Sequence, residues 1–213
     1  MSFAVPQEML KITTSVEEYR MLEDLKERRL YLYREIEPLG YEESSNEYAS
    51  TASHIIQAIL EFNREDISIP PADRKPIKIY INSPGGEVEE GLPIIAAIEL
   101  SKTPVYTINV GQWCSMAFLI GITGHKRLSL PYATFLLHEG QSFVGGASNK
   151  VEDRVLFDKR IEQEVIKPHV LKHSKMNEGT YDALARVEYY LLPTDALEAG
   201  FIDGIITDIN TIL

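Results

Sequence analysis

Val105-Tyr-Thr-Ile-Asn-Val-Gly-Gln-Trp-Cys-Ser115-Met-Ala-Phe-Leu-Ile-Gly121 reads as an apolar strand, a glycine, and a serine at the mouth of an apolar run that forms a buried helix. The strand is expected over residues 105–110, with the helix starting after Ser115. Working outward, a second strand, Ala133-Thr-Phe-Leu-Leu-His138, ends on a histidine. A serine hydroxyl is a poor nucleophile until a base takes its proton. A serine on a strand-to-helix turn near a strand-end imidazole therefore has a chemical logic. Alone, neither residue says much: most serines are turn or cap residues, and a lone histidine is more often structural than catalytic.

Upstream, Lys78-Ile-Tyr-Ile-Asn-Ser-Pro-Gly-Gly86 is a strand running into a turn that ends in two glycines. Glycine lets backbone N–H groups approach a ligand closely. Such a turn can give the Gly86 amide to an oxyanion hole, with the amide of Met116, just after the serine, as the second donor. Taken singly, Pro84-Gly85-Gly86 is a simple turn; in order with the other two segments, the functional reading prevails.

The rest of the chain alternates strand and helix. A strand is expected over 29–36 and a loop over 38–46, with Ser44-Ser-Asn-Glu47 spaced as a helix capping box. Tyr48, Ala52, Ile55, Ile56, Ile59 and Phe62 then follow at helical spacing. Residues 63–76 read as a long polar loop broken by Pro70, Pro71 and Pro76. A strand over 77–81 and a helix over 89–100 lead into Val105. Alternation of this kind implies an α/β fold with parallel pairing and right-handed crossovers. Residues 1–20 are mixed and polar, and neither repeats nor low-complexity tracts are present. A charged helix is expected over 150–167, with Val151, Val155, Ile161 and Val165 among the charges; on pattern alone it faces solvent.

The chain has 213 residues, enough for one domain with a sizeable core. A net charge of −11 argues against a nucleic-acid binder, since no basic patch exists to displace counterions from phosphates. No apolar run reaches membrane-spanning length. The N-terminus lacks a basic region followed by an apolar core, so secretion is not expected. One cysteine cannot form an internal disulfide, which fits a reducing cytoplasm. That residue, Cys114, abuts Ser115 and reads as a small buried filler. His169 and His173 stand at a spacing that can bind zinc. No glutamate of a His-Glu-x-x-His motif accompanies them and Pro168 is expected to disturb the helix, so no metal site is expected.

Several ordered motifs carry a resemblance: Leu25-Lys-Glu-Arg-Arg-Leu-Tyr-Leu, Tyr80-Ile-Asn-Ser-Pro-Gly-Gly86, Gly111-Gln-Trp-Cys-Ser-Met-Ala117, Lys126-Arg-Leu-Ser-Leu-Pro131, Leu136-Leu-His138, and Leu192-Pro-Thr-Asp-Ala-Leu-Glu-Ala-Gly-Phe-Ile-Asp203. From about Leu25 to the C-terminus the chain resembles the proteolytic subunits of the Clp protease, within the Clp/crotonase superfamily. The resemblance implies an α/β fold with a repeated strand-helix (ββα) spiral core and a protruding handle helix at about 139–170. It implies a divergent N-terminal segment, 1–24, before a single peptidase domain, 25–213. It implies a cytoplasmic serine endopeptidase acting on peptides or unfolded proteins inside a homo-oligomeric chamber of heptameric rings, which can pair as a tetradecamer. Ser115 would be the nucleophile, His138 the base, Glu188 the acid orienting it, and the Gly86 and Met116 amides the oxyanion hole. No cofactor, metal, nucleic acid or membrane is implied; an AAA+ unfoldase is a possible partner.

The departures from that family are specific. Trp113 stands where small residues are usual, and His138 is followed by Glu139-Gly140 instead of Gln-Pro. Arg186-Val187-Glu188 replaces an Asp-Arg-Asp segment, which makes the third triad member a glutamate. Lys78 occupies a position where an aromatic residue is common at the unfoldase-docking surface. These departures keep open a second reading, a weakly active or inactive paralogue serving as a structural ring subunit. A crotonase-type acyl-CoA enzyme is a remote third.

Overall fold

A computed structural model describes residues 22–38, 40–42, 47–140 and 145–213. Its strands are β1 (Arg29–Leu32), β2 (Gly40–Glu42), β3 (Glu47–Ala49), β4 (Ile77–Ser83), β5 (Val105–Cys114), β6 (Lys126–Ser129), β7 (Thr134–Leu137), β8 (Tyr189–Leu191) and β9 (Gly204–Ile205). The helices are α1 (Thr51–Glu65), α2 (Val88–Leu100), α3 (Met116–Ile122), α4 (Ser148–Ile161), α5 (Lys167–Lys172), α6 (Glu178–Leu184) and α7 (Pro193–Glu198). The main sheet runs β1-β4-β5-β6-β9, all parallel, with β7 parallel to β5 and β8 antiparallel to β7. Mixed α/β architecture on a mostly parallel sheet is the class the alternating pattern predicts. β2 and β3 form a separate antiparallel hairpin.

β5 organises the molecule because it serves two neighbours in succession. Tyr106–Asn109 pair with β6, whereas Gln112–Cys114 pair with β7. The switch falls at Gly111, where the register against β4 jumps from Ile81↔Asn109 to Ser83↔Trp113. This is a bulge, and a glycine makes it possible. A Cβ on Gly111 would lie 2.3 Å from the Asn82 side-chain oxygen, which instead accepts the Gln112 amide at 3.2 Å. The strand expected over 105–110 therefore continues to Cys114 and delivers its end to the start of α3.

Three other boundaries differ from the pattern-based expectation. β1 stops at Leu32, and Ile36 contributes only a single parallel bridge to Gly86. α1 is capped by Ser50, whose side chain accepts the Ser53 amide at 3.2 Å. The capping box placed at Ser44 is thus superseded: Glu47 belongs to β3, and Ser44 lies outside the described residues. α1 also continues through Glu65 into short 3₁₀ turns at Asp66–Ser68 and Pro71–Asp73, so the loop expected from Asn63 is largely helical. What organises it is Asp66, fully buried, which receives Arg28 Nη1 at 2.7 Å, Arg28 Nη2 at 2.8 Å and Thr103 Oγ1 at 2.8 Å.

Ala52, Ile55, Ile59 and Phe62 on α1 join Ile94 and Ile98 on α2 and the whole of α3 in one hydrophobic core. α4 buries no residue and leaves Val155, Leu156 and Phe157 exposed. It passes through a π-helical turn, Glu162–Ile166, into α5. Pro168 follows this π-helical turn, whose altered hydrogen-bond pattern accommodates a residue without an N–H, so it does not break the helix. Among the described residues, no helix is long and apolar enough to cross a membrane.

Candidate active site

Ser115 occupies the junction of β5 and α3 with φ 54° and ψ −125°, a conformation that L-residues rarely adopt. Holding it costs on the order of 1–3 kcal/mol, which the surrounding structure must offset. Its amide donates to the Leu136 carbonyl at 3.0 Å, and its carbonyl accepts Phe118 N at 3.0 Å to start the helix. The serine is thereby tied to β7 on one side and opens α3 on the other.

The glycine turn packs directly on this junction. A Cβ on Gly85 would lie 2.7 Å from both the Cys114 carbonyl and Ser115 Cβ, and 3.0 Å from Met116 N. Gly85 and Gly86 adopt φ of 100° and 141°, so both conformation and space demand glycine here. Ile36 donates to the Gly85 carbonyl and accepts from Glu87 N, each at 2.8 Å. In that parallel bridge the amide of Gly86 itself faces away from Ile36, toward the side on which β5 runs into α3. Met116 is the first residue of α3, and a first-turn N–H has no partner within its helix. The Gly86 and Met116 amides are thus the candidate backbone donors beside the serine.

His138 follows Leu136, the residue that holds the Ser115 amide, by two strand positions, about 6.6 Å. The β7–β8 register pairs Leu136 with Tyr190 and Leu137 with Tyr189, which sets His138 opposite Glu188. His138 Nδ1 lies 3.0 Å from Glu188 Oε1. A carboxylate can only accept, so Nδ1 carries a hydrogen, and in the neutral ring the lone pair is on Nε2, the tautomer of a general base. Among the described residues no hydrogen bond joins Ser115 Oγ to His138. Such contacts are often long without substrate and tighten when the site is filled.

Sequence reasoning missed Tyr190, whose hydroxyl donates to Glu188 Oε2 at 3.2 Å. The hydrogen bond to that carboxylate raises the Tyr190 pKa. The signal was present in the strand period: residues i and i+2 share a face. Asp182, the nearest carboxylate upstream, is held by Lys167 at 2.8 Å and is not joined to His138. Cys114 is buried; burial first, and the Glu188 charge second, push its thiol pKa up, which disfavours the thiolate.

The model of the Clp protease family matches residues 19–209 of this chain. The chain belongs to the Clp protease family. It is 31% identical over 167 residues to an ATP-dependent Clp protease proteolytic subunit 3 of Synechococcus sp. (strain CC9605), covering 75% of this chain and 78% of that one. It is 31% identical to an ATP-dependent Clp protease proteolytic subunit 2 of Prochlorococcus marinus subsp. pastoris, over 73% of this chain and 76% of the relative. A proteolytic subunit 3 of Synechococcus sp. (strain CC9902) is 33% identical over the same shares. At this level of identity the chain is a divergent ClpP-like peptidase.

As a Clp-family chain it accommodates its unusual tryptophan below the site. Trp113 is fully buried, meets Phe135 edge-to-face at 5.4 Å, and packs on Gly121 of α3, where a Cβ would fall 2.4 Å from the indole. The departure at residue 113 is therefore a matter of packing under α3. Another departure, Glu188, reaches His138 from the position just before β8 despite its longer side chain. Beyond the serine site, Glu99 of α2, which no local motif joins to His169 and His173, lies against both.

Proposed function

We propose that this Clp-family chain is an active serine endopeptidase that cleaves peptides and unfolded proteins within a homo-oligomeric ring chamber in the cytoplasm. The observation that carries the reading is the His138 Nδ1–Glu188 Oε1 contact of 3.0 Å, because it leaves Nε2 free for the serine proton. Ser115 Oγ attacks the peptide carbonyl as His138 Nε2 takes its proton, and Glu188 stabilises the resulting imidazolium. The Gly86 and Met116 amides hold the oxyanion, each such donor contributing about 10²–10³ in rate. His138 returns the proton to the leaving amine, and water then hydrolyses the acyl-serine by the same steps.

A paralogue that served only as a scaffold would have no use for a strained serine with a glycine turn packed against it, a conformation that costs stability. The printed names of the relatives describe ATP-dependent proteolytic subunits; by analogy an ATP-driven unfoldase feeds this chamber. The domain that performs this chemistry spans residues 25–213, with the segment before it divergent and α4 acting as the handle between rings.

The direct test is labelling with a fluorophosphonate probe, which reacts only with an activated serine. Wild type is expected to label and Ser115→Ala to remain unlabelled while assembling normally. Labelling that survives Ser115→Ala but vanishes in Cys114→Ala would overturn the assignment, and no labelling of wild type would favour the scaffold reading.

A further inference from the structure

Away from the serine, α2 and α5 bring three metal-ligating side chains together. His169 and His173 stand one turn apart with ring centroids 4.6 Å from each other. Glu99, at the end of α2 and 74 residues upstream of His173, places Oε1 3.3 Å from His173 Nε2 and 3.8 Å from His169 Nδ1. The three ligand atoms all lie within 4.8 Å of one another. Ligands around a tetrahedral zinc ion, about 2.0–2.1 Å from the metal, are spaced about 3.3 Å apart. Shifts on the order of an ångström, within reach of side-chain rotation, close the set around one ion.

The tautomer of His169 supplies the independent argument. Its Nε2 lies 3.2 Å from the Leu119 carbonyl and 3.1 Å from Thr123 Oγ1, and Thr123 Oγ1 already donates to that same carbonyl at 2.8 Å. A carbonyl only accepts, so Nε2 must carry the hydrogen. Nδ1 therefore holds a lone pair, and that lone pair faces the carboxylate of Glu99. A metal ion between that nitrogen and the carboxylate would satisfy both acceptors, and it would take the place of the proton that His173 Nε2 now donates to Glu99 Oε1. A histidine that donates its far N–H to a backbone carbonyl and turns its near nitrogen inward is the arrangement that orients metal ligands. Burial lowers the pKa of both imidazoles, which favours the unprotonated ligand form. At present the nearest cation is Lys172 Nζ, 2.6 Å from Glu99 Oε1 on a mostly exposed side chain that can swing clear.

We propose that Glu99, His169 and His173 form a binding site for a divalent transition-metal ion, Zn²⁺ foremost, which clasps α2 to α5. Two imidazoles and one carboxylate are a donor set that suits zinc, with water as the fourth ligand. The ion would also brace α3, since its Leu119 carbonyl orients His169 and its first residue supplies the Met116 amide.

The test uses the full chain, stripped with a chelator and titrated with ZnCl₂ by calorimetry and with CoCl₂ by visible absorption. One saturable ion per chain is expected at micromolar metal, with the intense d–d bands of tetrahedral Co²⁺. His173→Gln and Glu99→Gln, both at less buried positions than His169, should each lose the bands and at least tenfold in affinity while keeping wild-type circular dichroism. His138→Ala should bind as wild type does. Absence of saturable binding, binding unchanged in both His173→Gln and Glu99→Gln, or binding lost only in His138→Ala would overturn the proposal.

Discussion

Glu188 is about half exposed, with 51% of its side-chain surface accessible, and that sets it apart from a triad acid sealed in a core. Neutralising a buried triad carboxylate costs about 10⁴ in rate, chiefly through the wrong histidine tautomer. At Glu188 water can partly solvate the imidazolium, so Glu188→Gln is expected to lower kcat about 10²–10³-fold, below that bound. A peptide-hydrolysis assay showing less than a tenfold loss would show that Glu188 does not orient His138. Tyr190→Phe removes the hydrogen bond to Oε2 and, at this exposed position, should lower the rate only a few-fold. If Tyr190 acts only through Glu188, the double variant should be no slower than Glu188→Gln alone. The serine and the histidine were legible because strand, glycine and apolar helix are local patterns. The pairing of His138 with Glu188 was legible only through the family resemblance, since it depends on the antiparallel register of two short strands about 50 residues apart.

β5, and the helix packed on it, decide where the serine stands. Gly121 sits against the Trp113 ring, so Gly121→Ala should force the indole aside and destabilise the fold by about 1–3 kcal/mol, read as a fall in Tm. The companion Gly121→Ala/Trp113→Phe makes room for the new methyl and should recover part of that loss; no recovery would place the strain elsewhere. At the other end of the core, Asp66 is held below its usual pKa by Arg28 and Thr103. A depressed folded-state pKa contributes stability that is present above the unfolded value near 3.9 and is lost as pH falls through the folded one. Wild-type Tm should therefore drop steeply below about pH 4. Asp66→Asn leaves the Arg28 guanidinium largely unpaired and should cost about 3 kcal/mol at neutral pH, less whatever Glu65 recovers, with a shallower acid limb. An acid limb as steep as wild type in Asp66→Asn would assign the effect to other carboxylates. Sequence reading took Asn63–Pro76 for a loop because its prolines and charges look solvated. The partner that buries Asp66, Arg28, stands 38 residues away, and only the assembled sheet brings it there.

For the whole molecule, the surfaces left uncovered matter more than the core. Val155, Leu156 and Phe157 stand 40%, 59% and 51% exposed on α4, a helix with no buried residue, and such a cluster is suited to burial against another copy. Leu156→Glu with Phe157→Glu should shift the particle mass in native mass spectrometry toward single rings or smaller species, and an unchanged mass would remove the handle from the assembly. The face where the proposed unfoldase would dock is the other such surface. Tyr31 stacks on Tyr80 at 5.4 Å and meets Tyr33 edge-on at 5.2 Å, so an aromatic platform persists on β1 and β4. Lys78, two residues before Tyr80, interrupts it, and its ammonium donates to the Leu213 carbonyl while the Tyr80 hydroxyl donates to that of Ile212. An apolar docking anchor set against this lysine forgoes about 1–3 kcal/mol of burial. At about 1.4 kcal/mol per decade, that is up to about a hundredfold in affinity per site. Lys78→Tyr should therefore extend the platform and tighten binding to a Clp unfoldase by about ten- to a hundredfold, while leaving fluorophosphonate labelling of Ser115 at the wild-type rate. Equal affinity in wild type and Lys78→Tyr would show that docking does not use this face.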